Sequence, residues 1–249
     1  MESQQMNLDV ISNNLANVNT TGYKESKLQF QDLLYQTTRA AGSEQGGGNQ
    51  LPGSLQIGQG AIPVATERVF TNGELSKTGG SLDIAIQGSG FFQVQMPDGT
   101  LAYTRDGGFK TDAEGRIVTS DGYPVQGGFQ PVPAGTTNIT ISASGGVTYT
   151  TNSGTTSSQI QLANFNNPGG LQAVGHNLFK ETTASGNAQL GEPTQNGLGE
   201  LQQGYLELSN VSVVQEMVNL ILAQRAYEVN SKAVQAADQM MQDSNNLER

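Results

Sequence analysis

An apolar stripe lies near the start of the chain. Apolar residues recur there at steps of three and four residues, the period of an amphipathic helix: Leu8, Ile11, Leu15 and Val18. The polar positions around the stripe are asparagine and serine, not the lysine and glutamate that usually stabilise an exposed helix. Gly22 suits the left-handed position that ends a helix, and a second short apolar run after it predicts helical structure to about Arg39.

A longer stripe lies near the other end of the chain. Ser209 or Ser212 can cap a helix there, and Gln215 stands three residues after Ser212 as in a capping box. The apolar positions then recur at helical steps: Val214, Met217, Val218, Ile221, Leu222, Ala226, Val229, Ala233, Ala236 and Met240. Roughly thirty residues at about 1.5 Å each make a rod on the order of 45 Å long. A helix of that length needs another long helix to cover its apolar face.

Between the two stripes the pattern changes twice. Residues 41–61 are rich in glycine, glutamine and serine without any period, which predicts an extended arm or loop. From residue 62 onward apolar and polar positions alternate, for example in residues 82–87 and 91–96, and glycine-containing turns follow at short intervals. We predict one antiparallel β domain over residues 62–204.

The predicted fold is therefore mainly β with helices at both ends of the chain. Residues 1–40 form an N-terminal helical segment, and residues 205–249 hold a long helix that pairs with it in a coiled-coil-like helical domain. In one copy two thin stripes bury little area, at roughly 25 cal/mol per Å², against about 1–2 kcal/mol of backbone entropy per ordered residue. We therefore expect many copies to pack side by side and to bury the stripes between them.

The neutral polar face suits such self-packing. In a polymer of identical subunits every charge faces repeats of itself, whereas an asparagine amide both donates and accepts a hydrogen bond. The polar and glycine candidates for subunit contacts are Asn14, Asn17, Gly22, Gln224, Arg225 and Tyr227. The alternatives are a solvated asparagine face, a local pair with Glu228 in the last helix, and an N-terminal stripe that packs on its own chain.

Composition narrows the function. The chain has 249 residues, and its 22 acidic and 12 basic residues give a net charge of -10, which argues against nucleic acid as a partner. Cysteine is absent, so the chain has no disulfide, thiolate nucleophile or cysteine-bound metal. No stretch is apolar enough to span a bilayer, and the start does not read as a signal peptide, so any secretion uses another route.

Few residues suggest catalysis or metal binding, and we expect no cofactor. Four aspartates lack the spacing and closing glutamate of a calcium loop, so turn formation explains them: Asp98, Asp106, Asp112 and Asp121. His176 is the sole histidine and has no second histidine or cysteine with which to bind zinc. Asp106 and Asp112 as the carboxylate pair of a glycan hydrolase keep an enzyme open as an alternative. A secreted, self-associating β-rich adhesin is the other alternative.

Three parts of the chain carry a resemblance to a known family. They are "NNLANVNTTGYK" near the start, "GSLDIAIQGSGFFQV" with "AYTRDGGF" in the middle, and "LELSNVSVVQEMVNLILAQRAYEVNSKAVQAADQMM" at the end. Together they resemble the signature segments of bacterial flagellar axial proteins, the rod and hook group, over nearly the whole chain. Residues 55–80 and the modest length are most similar to the distal-rod members, with proximal rod and hook-type members as alternatives.

The resemblance implies a structural subunit and no enzyme. The terminal helices would pair in the inner layer of a hollow helical tube, with the β domain outside and the arm against neighbouring subunits. The tube would transmit motor torque to the hook, conduct exported subunits, and contact proximal rod proteins, the hook protein and the surrounding ring proteins. The implied location is the basal body from periplasm to outer membrane, reached through the flagellar export apparatus without a cleaved signal peptide. Family members usually begin earlier with more apolar helix, so we interpret Met1 as a misplaced or trimmed start.

Overall fold

A computed structural model describes residues 1–39, 53–151 and 154–247 of the chain. The elements in chain order are helix α1 (Glu2–Ala16), strands β1 (Ser26–Asp32), β2 (Tyr35–Arg39), β3 (Leu55–Gly58), β4 (Ala61–Arg68), β5 (Leu75–Lys77), β6 (Ile84–Gln87), β7 (Phe92–Gln95), β8 (Leu101–Thr104), β9 (Lys110–Thr111), β10 (Ile117–Val118), β11 (Thr136–Ile141), β12 (Gly146–Thr151), β13 (Gly154–Gln159) and β14 (Leu162–Asn164), a short 3-10 helix (Pro168–Gly170), strands β15 (Gln172–Gly175), β16 (Leu178–Lys180), β17 (Gln189–Gly191), β18 (Glu200–Gln203) and β19 (Tyr205–Glu207), and helix α2 (Val213–Leu247).

These elements form two compact units. We call Met1–Asn13, Ser26–Glu67 and Val214–Arg249 the terminal unit, and Asn14–Glu25 with Arg68–Val213 the central unit. The central unit contains a four-stranded sheet in the order β15-β16-β8-β7 and a three-stranded sheet in the order β11-β12-β13. The two-stranded ladders β18–β6, β19–β5, β14–β17 and β10–β9 belong to it as well. Its ladders run antiparallel, as the closely spaced turns predicted.

The core of the central unit is apolar and aromatic. Its largest cluster draws side chains from several ladders, among them Ile84, Ile86, Phe92, Phe109, Tyr149, Ile160, Leu162 and Leu201. The rings of Phe92 and Phe109 meet edge to face with their centroids 5.0 Å apart. The alternating pattern predicted half-buried strands, yet Ala85 and Gln93 are buried too, so both faces of β6 and of β7 are covered.

Gly107 allows the loop after β8 to lie directly on β6. A Cβ at this position would lie 1.7 Å from the carbonyl oxygen of Ile84, so no side chain fits there. The Ile84 N–H donates to the Gly107 carbonyl over 3.1 Å. The close backbone approach therefore requires glycine at residue 107.

The terminal unit differs from the helix predicted over residues 1–40. Helix α1 ends at Ala16, and the run that was expected to continue the helix forms β1 and β2 instead. Leu28 and Phe30 alternate with polar neighbours in β1, which is the strand period, and β1 pairs with β4 while β2 pairs with β3. Residues 41–52 of the predicted arm lie outside the described residues, and the described part of the arm holds β3 and the start of β4.

Helix α2 confirms the long C-terminal helix. It has 35 residues, from Val213 to Leu247, which corresponds to about 52 Å at ~1.5 Å per residue. Ser212 stands immediately before it, in one of the two positions predicted for the cap. Neither helix in the described ranges combines the length and the apolar character needed to cross a membrane.

Candidate self-association surface

Helix α2 presents two different faces. Glu216 and Ala223 are buried, at 3% and 4% exposure, and Leu220, Ala226 and Ser231 are partly covered. With 3.6 residues per turn these five positions lie on one side of the helix. The side that the chain covers is therefore made largely of polar and small residues.

The large apolar residues of the predicted stripe of α2 lie on the opposite side, whereas Ala226, which was predicted to belong to the stripe, lies on the covered side. These large residues are Val214, Met217, Val218, Ile221, Leu222, Val229 and Met240. Within the described residues each of them stays between 46% and 76% exposed. A row of large apolar side chains with this much exposure is typical of a surface that another molecule covers.

The strands of the terminal unit carry a second set of exposed apolar side chains. They are Phe30, Leu34, Tyr35, Leu55, Ile57, Ile62 and Val64. All residues of β2 and β3 are exposed, although the two strands pair in an antiparallel ladder, with a register shift between Thr37 and Arg39. An isolated two-stranded ladder is marginally stable in water, so these strands also favour a covering partner.

The N-terminal stripe is covered much better than the stripe of α2. Ile11 is 5% exposed, and Leu8, Leu15 and Val18 are partly buried. The expectation that one copy leaves both stripes uncovered therefore holds for α2 and is wrong for α1. For α1, the alternative of packing within its own chain describes the structure better.

The asparagines of the first segment bond within the chain. The Tyr23 hydroxyl donates to Asn14 Oδ1 over 3.1 Å, and the Thr20 hydroxyl donates to Asn17 Oδ1 over 3.3 Å. Gly22 has the expected left-handed φ of 68°, but it lies in the turn beyond α1 and not at the helix end. Contacts of Asn14, Asn17 and Gly22 with other subunits stay a prediction.

In the middle of α2 the local ion pair is present. Arg225 Nη1 lies 3.2 Å from Glu228 Oε2, one turn further along the helix. Tyr227 is 37% exposed and Gln224 is exposed. The single chain thus contains the pair that we gave as the alternative, and contacts of these residues between subunits stay a prediction.

A buried ionic cluster in the central unit joins the segment after α1 to the loop after β8 and to the last strand, β19. We call Lys24, Arg105 and Glu207 the clasp. Lys24 Nζ donates to Glu207 Oε1 over 2.7 Å and to the Thr71 carbonyl over 2.7 Å, and neither charged side chain has any exposed surface. Glu207 Oε1 also accepts the Gly73 N–H over 2.9 Å. Charged groups are rarely buried so fully unless they are paired in this way.

The clasp contains more positive than negative charge. Arg105 Nη2 donates to Asn72 Oδ1 over 2.9 Å and to the Gly88 carbonyl over 2.7 Å, and Arg105 Nε lies 3.6 Å from Glu207 Oε2. Arg105 Nε, Arg105 Nη1 and Glu207 Oε2 have no hydrogen-bond partner among the described residues. Burial, and then the charge of Arg105, lower the pKa of Lys24. Two buried cations therefore share one carboxylate.

Further hydrogen bonds hold the segment after α1 to β19 and to the residues that follow it. The Gly22 N–H donates to the backbone carbonyl of Glu207 over 2.8 Å, and the Glu25 N–H donates to Asn210 Oδ1 over 2.7 Å. In addition, Asn177, in the turn between β15 and β16, donates from Nδ2 to the Thr21 carbonyl over 2.9 Å and attaches the turn after α1 to the four-stranded sheet. The turn that follows α1 is thus fixed to the segment that precedes α2.

Sequence reasoning did not single out the clasp. Lys24, Arg105 and Glu207 stand one each in the three parts of the chain that carry the family resemblance, "TTGYK", "YTRDGGF" and "LELSNV". Each is a charged residue in a chain in which only 14% of residues are charged. That scarcity is the signal that could have pointed to them, although their pairing depends on the fold.

Asp106 and Asp112, the carboxylate pair of the glycan hydrolase alternative, accept hydrogen bonds within turns. Asp112 pairs with Arg116 Nε over 2.8 Å, and Asp106 Oδ1 accepts hydrogen bonds from the Gly108 N–H in its own turn and from the hydroxyl of Thr21, which is remote in the sequence. His176 Nδ1 lies 3.3 Å from Asp121 Oδ1 on the surface. In the described ranges, no group of three histidine, aspartate or glutamate side chains could hold a metal ion.

Three protein-family models match separate parts of the chain. A family described as "Flagella basal body rod protein" matches residues 1–24, "Flagellar hook protein FlgE/F/G D1 domain" matches residues 85–149, and "Flagellar basal body rod FlgEFG protein C-terminal" matches residues 202–247. The matched regions contain Lys24, Arg105 and Glu207, respectively.

Individual relatives extend the similarity to full length. The chain is 49% identical to a protein of Caulobacter vibrioides over 99% of its own length and 95% of the relative's. It is 48% identical to a protein of Buchnera aphidicola over 99% and 96% of the two chains, and 47% identical to one of Borreliella burgdorferi over 100% and 96%. Each of the three is named flagellar basal-body rod protein FlgG.

Proposed function

Because the chain belongs to the flagellar basal-body rod protein family, we propose that it is a subunit of the distal rod whose copies assemble through the apolar stripe of α2. Members of this family are structural rod proteins and not enzymes. The resemblance drawn from the sequence is therefore confirmed. The relatives give no support to the adhesin or to the glycan hydrolase.

One observation carries the proposal. Helix α2 exposes its large apolar residues along one side, while the side covered by the chain contains the buried carboxylate of Glu216. Fully burying one such apolar side chain contributes about 1.5–3 kcal/mol. Several of them along one helix supply enough free energy to hold neighbouring copies together.

The family resemblance implies the arrangement of copies that we propose. The terminal helices of many subunits pack into the inner layer of a hollow tube, with the central unit outside and the exposed strands of the terminal unit against neighbours. The tube transmits torque from motor to hook and conducts exported subunits. Its partners are further copies of the chain, proximal rod proteins, the hook protein and the surrounding rings. It extends from the periplasm to the outer membrane.

We also propose that the chain is exported unfolded through the flagellar export apparatus. The sequence contains no cysteine, so no disulfide can oppose threading through a narrow channel. The exposed ladders and the exposed α2 gain their cover only after delivery. We therefore expect the helical circular dichroism signal to rise when a dilute solution is concentrated into polymers.

Paired substitutions test the proposal. Leu222→Gln with Val229→Gln removes apolar surface from α2, and the matched control, Leu101→Gln with Leu190→Gln, makes a comparable change at exposed apolar residues of the central unit. Electron microscopy and sedimentation at high protein concentration should show polymers for the unchanged chain and for the control, and monomers for the α2 variant. Polymers of the α2 variant with unchanged stability would contradict the proposal.

A further inference from the structure

The clasp contributes little net stability to the central unit, because burying charged groups has a large desolvation cost. Two cations and one carboxylate are withdrawn from water, and three of their polar atoms have no hydrogen-bond partner among the described residues. Replacing a buried ionic cluster by apolar side chains of similar volume is often neutral or stabilising. Stability alone therefore does not explain why charged groups occupy these positions.

An ionic cluster differs from an apolar contact in being directional. Lys24 Nζ lies between Glu207 Oε1 and the Thr71 carbonyl, 2.7 Å from each, which fixes its position in two directions. Arg105 is held in turn by Asn72 and by the Gly88 carbonyl. Hydrogen bonds to charged groups specify geometry more strictly than apolar packing does.

The segments held by the clasp lead to the terminal helices. Lys24 belongs to the turn after α1, and Glu207 ends β19 shortly before α2 begins at Val213. Between the two segments lies a groove of about 440 Å³, which Asn19 lines from one side and Ser212 from the other. The clasp thus fixes, within the central unit, the two places from which the chain continues into its helices.

We propose that Lys24, Arg105 and Glu207 are positioning residues for assembly. The clasp holds the end of α1 and the start of α2 at a fixed separation before any neighbouring copy arrives, so that a subunit joins the polymer with these two helix ends already placed within the central unit. Without Lys24, Arg105 Nε remains as a counter-charge 3.6 Å from Glu207 Oε2, so we expect the loss of Lys24 to affect placement more than stability. This inference rests on the proposed function only in its second half, the consequence for assembly.

A distance measurement tests the placement in the dilute monomer. The chain has no cysteine, so Asn19→Cys and Ser212→Cys accept one spin label each on the two sides of the groove. With the clasp unchanged, the distance between the two spin labels should have a narrow distribution. Lys24→Met should broaden it while the thermal midpoint stays the same or rises. Lys110→Met, at an exposed lysine of β9, is the control and should change neither quantity.

Each outcome decides the inference. A narrow distribution in Lys24→Met overturns it, and so does a fall in the thermal midpoint that accompanies the broadening, because Lys24 would then act through stability. Assembly is measured next on the same variants. Lys24→Met should need a higher protein concentration to form polymers than Lys110→Met does. Equal assembly despite a broadened distribution overturns the second half only, whereas failure of the unchanged chain to assemble counts against the proposed function and leaves the distance result standing.

Discussion

Lys24 Nζ lies 2.7 Å from Glu207 Oε1, although 183 positions separate the two residues in the sequence. Both side chains are completely buried, and Arg105 shares the same carboxylate. A contact between residues so far apart closes most of the chain into one loop, and the packing of the strands between them offsets the entropy cost of that closure. The separation between the end of α1 and the start of α2, both of which lie in the central unit, therefore depends on the fold of that unit.

Removal of the single carboxylate should destabilise the central unit severely. In Glu207→Gln two buried cations lose their counter-charge, and breaking a buried pair from one side typically costs about 3–5 kcal/mol. Urea unfolding of the dilute protein measures the change. Glu200→Gln, at an exposed position of neighbouring β18, should stay within about 0.5 kcal/mol of the unchanged chain. Equal stability of the two variants would show that Glu207 is not the essential counter-charge.

Ionisation of Asp106 should lower the stability of the protein as the pH rises, and replacing Asp106 with asparagine should remove this pH dependence. Burial, with smaller contributions from Asp83 and Asp121, raises the pKa of Asp106 above that of an unfolded aspartate. The native state therefore holds the proton more tightly than the unfolded state does. The stability that this carboxyl contributes is complete below its unfolded pKa and is lost as the pH rises through the native pKa.

Asp106→Asn is the matching variant. Its amide oxygen can still accept from the Gly108 N–H and the Thr21 hydroxyl, which Asp106 Oδ1 binds at 3.1 Å and 3.0 Å. We expect the variant to be more stable than the unchanged chain at neutral pH and to lose that advantage in acid. Urea midpoints over this range, compared between the two proteins, isolate the contribution of residue 106. A difference that does not vary with pH would contradict the raised pKa.

The β domain could be predicted because period-two alternation is a local property of the sequence. Residues 84–87 and 92–95 form strands where alternation placed them. The helix expected to reach Arg39 was wrong because a short apolar run fits more than one period, and its assignment depended on a remote partner. Strand β1 pairs with β4, a segment that follows it only after the glycine-rich stretch. Local pattern does not reveal such a partner.

In the candidate site too, features that depend on local sequence pattern could be predicted, and features that depend on remote partners could not. The apolar stripe of α2 was visible in the spacing of Val214, Ile221 and Val229, and the structure leaves all three exposed. The clasp was not visible, because Lys24 and Glu207 become neighbours only through the fold. Burial of Ile11 within its own chain was predicted only as an alternative for a related reason: a stripe shows which face of a helix is apolar, and it does not show what covers that face.

Gly107→Ala should show how closely the loop after β8 is fitted to β6. The added methyl group would lie 1.7 Å from the Ile84 carbonyl oxygen, so the backbone must shift, and overpacking of this kind typically costs about 1–3 kcal/mol or more. Thermal unfolding measures the loss. Gly53→Ala adds the same methyl group in open space and serves as the control. Equal midpoints for the two variants would mean that the close approach is absent in solution.

Two leucine-to-alanine changes should separate folding from assembly. Leu162 is fully buried in the central core, so Leu162→Ala should destabilise the dilute monomer by about 2–5 kcal/mol. Leu222 is 63% exposed on α2. Because alanine favours helix at least as well as leucine, Leu222→Ala should leave monomer stability within about 0.5 kcal/mol.

For assembly into polymers we expect the opposite ranking: Leu222→Ala should have the larger effect and Leu162→Ala the smaller one. If a neighbouring copy covers Leu222, its truncation loses about 1.5–3 kcal/mol of burial per subunit, and each ~1.4 kcal/mol corresponds to about a tenfold change in an association constant. The protein concentration needed for assembly should therefore rise about tenfold or more for Leu222→Ala, as measured by sedimentation over a concentration series. Leu162→Ala, examined at a temperature where it is still folded, should assemble close to the unchanged concentration. A dilute monomer that Leu222→Ala destabilises as much as Leu162→Ala does would mean that Leu222 packs within its own chain, and α2 would then have no apolar stripe to offer a neighbour.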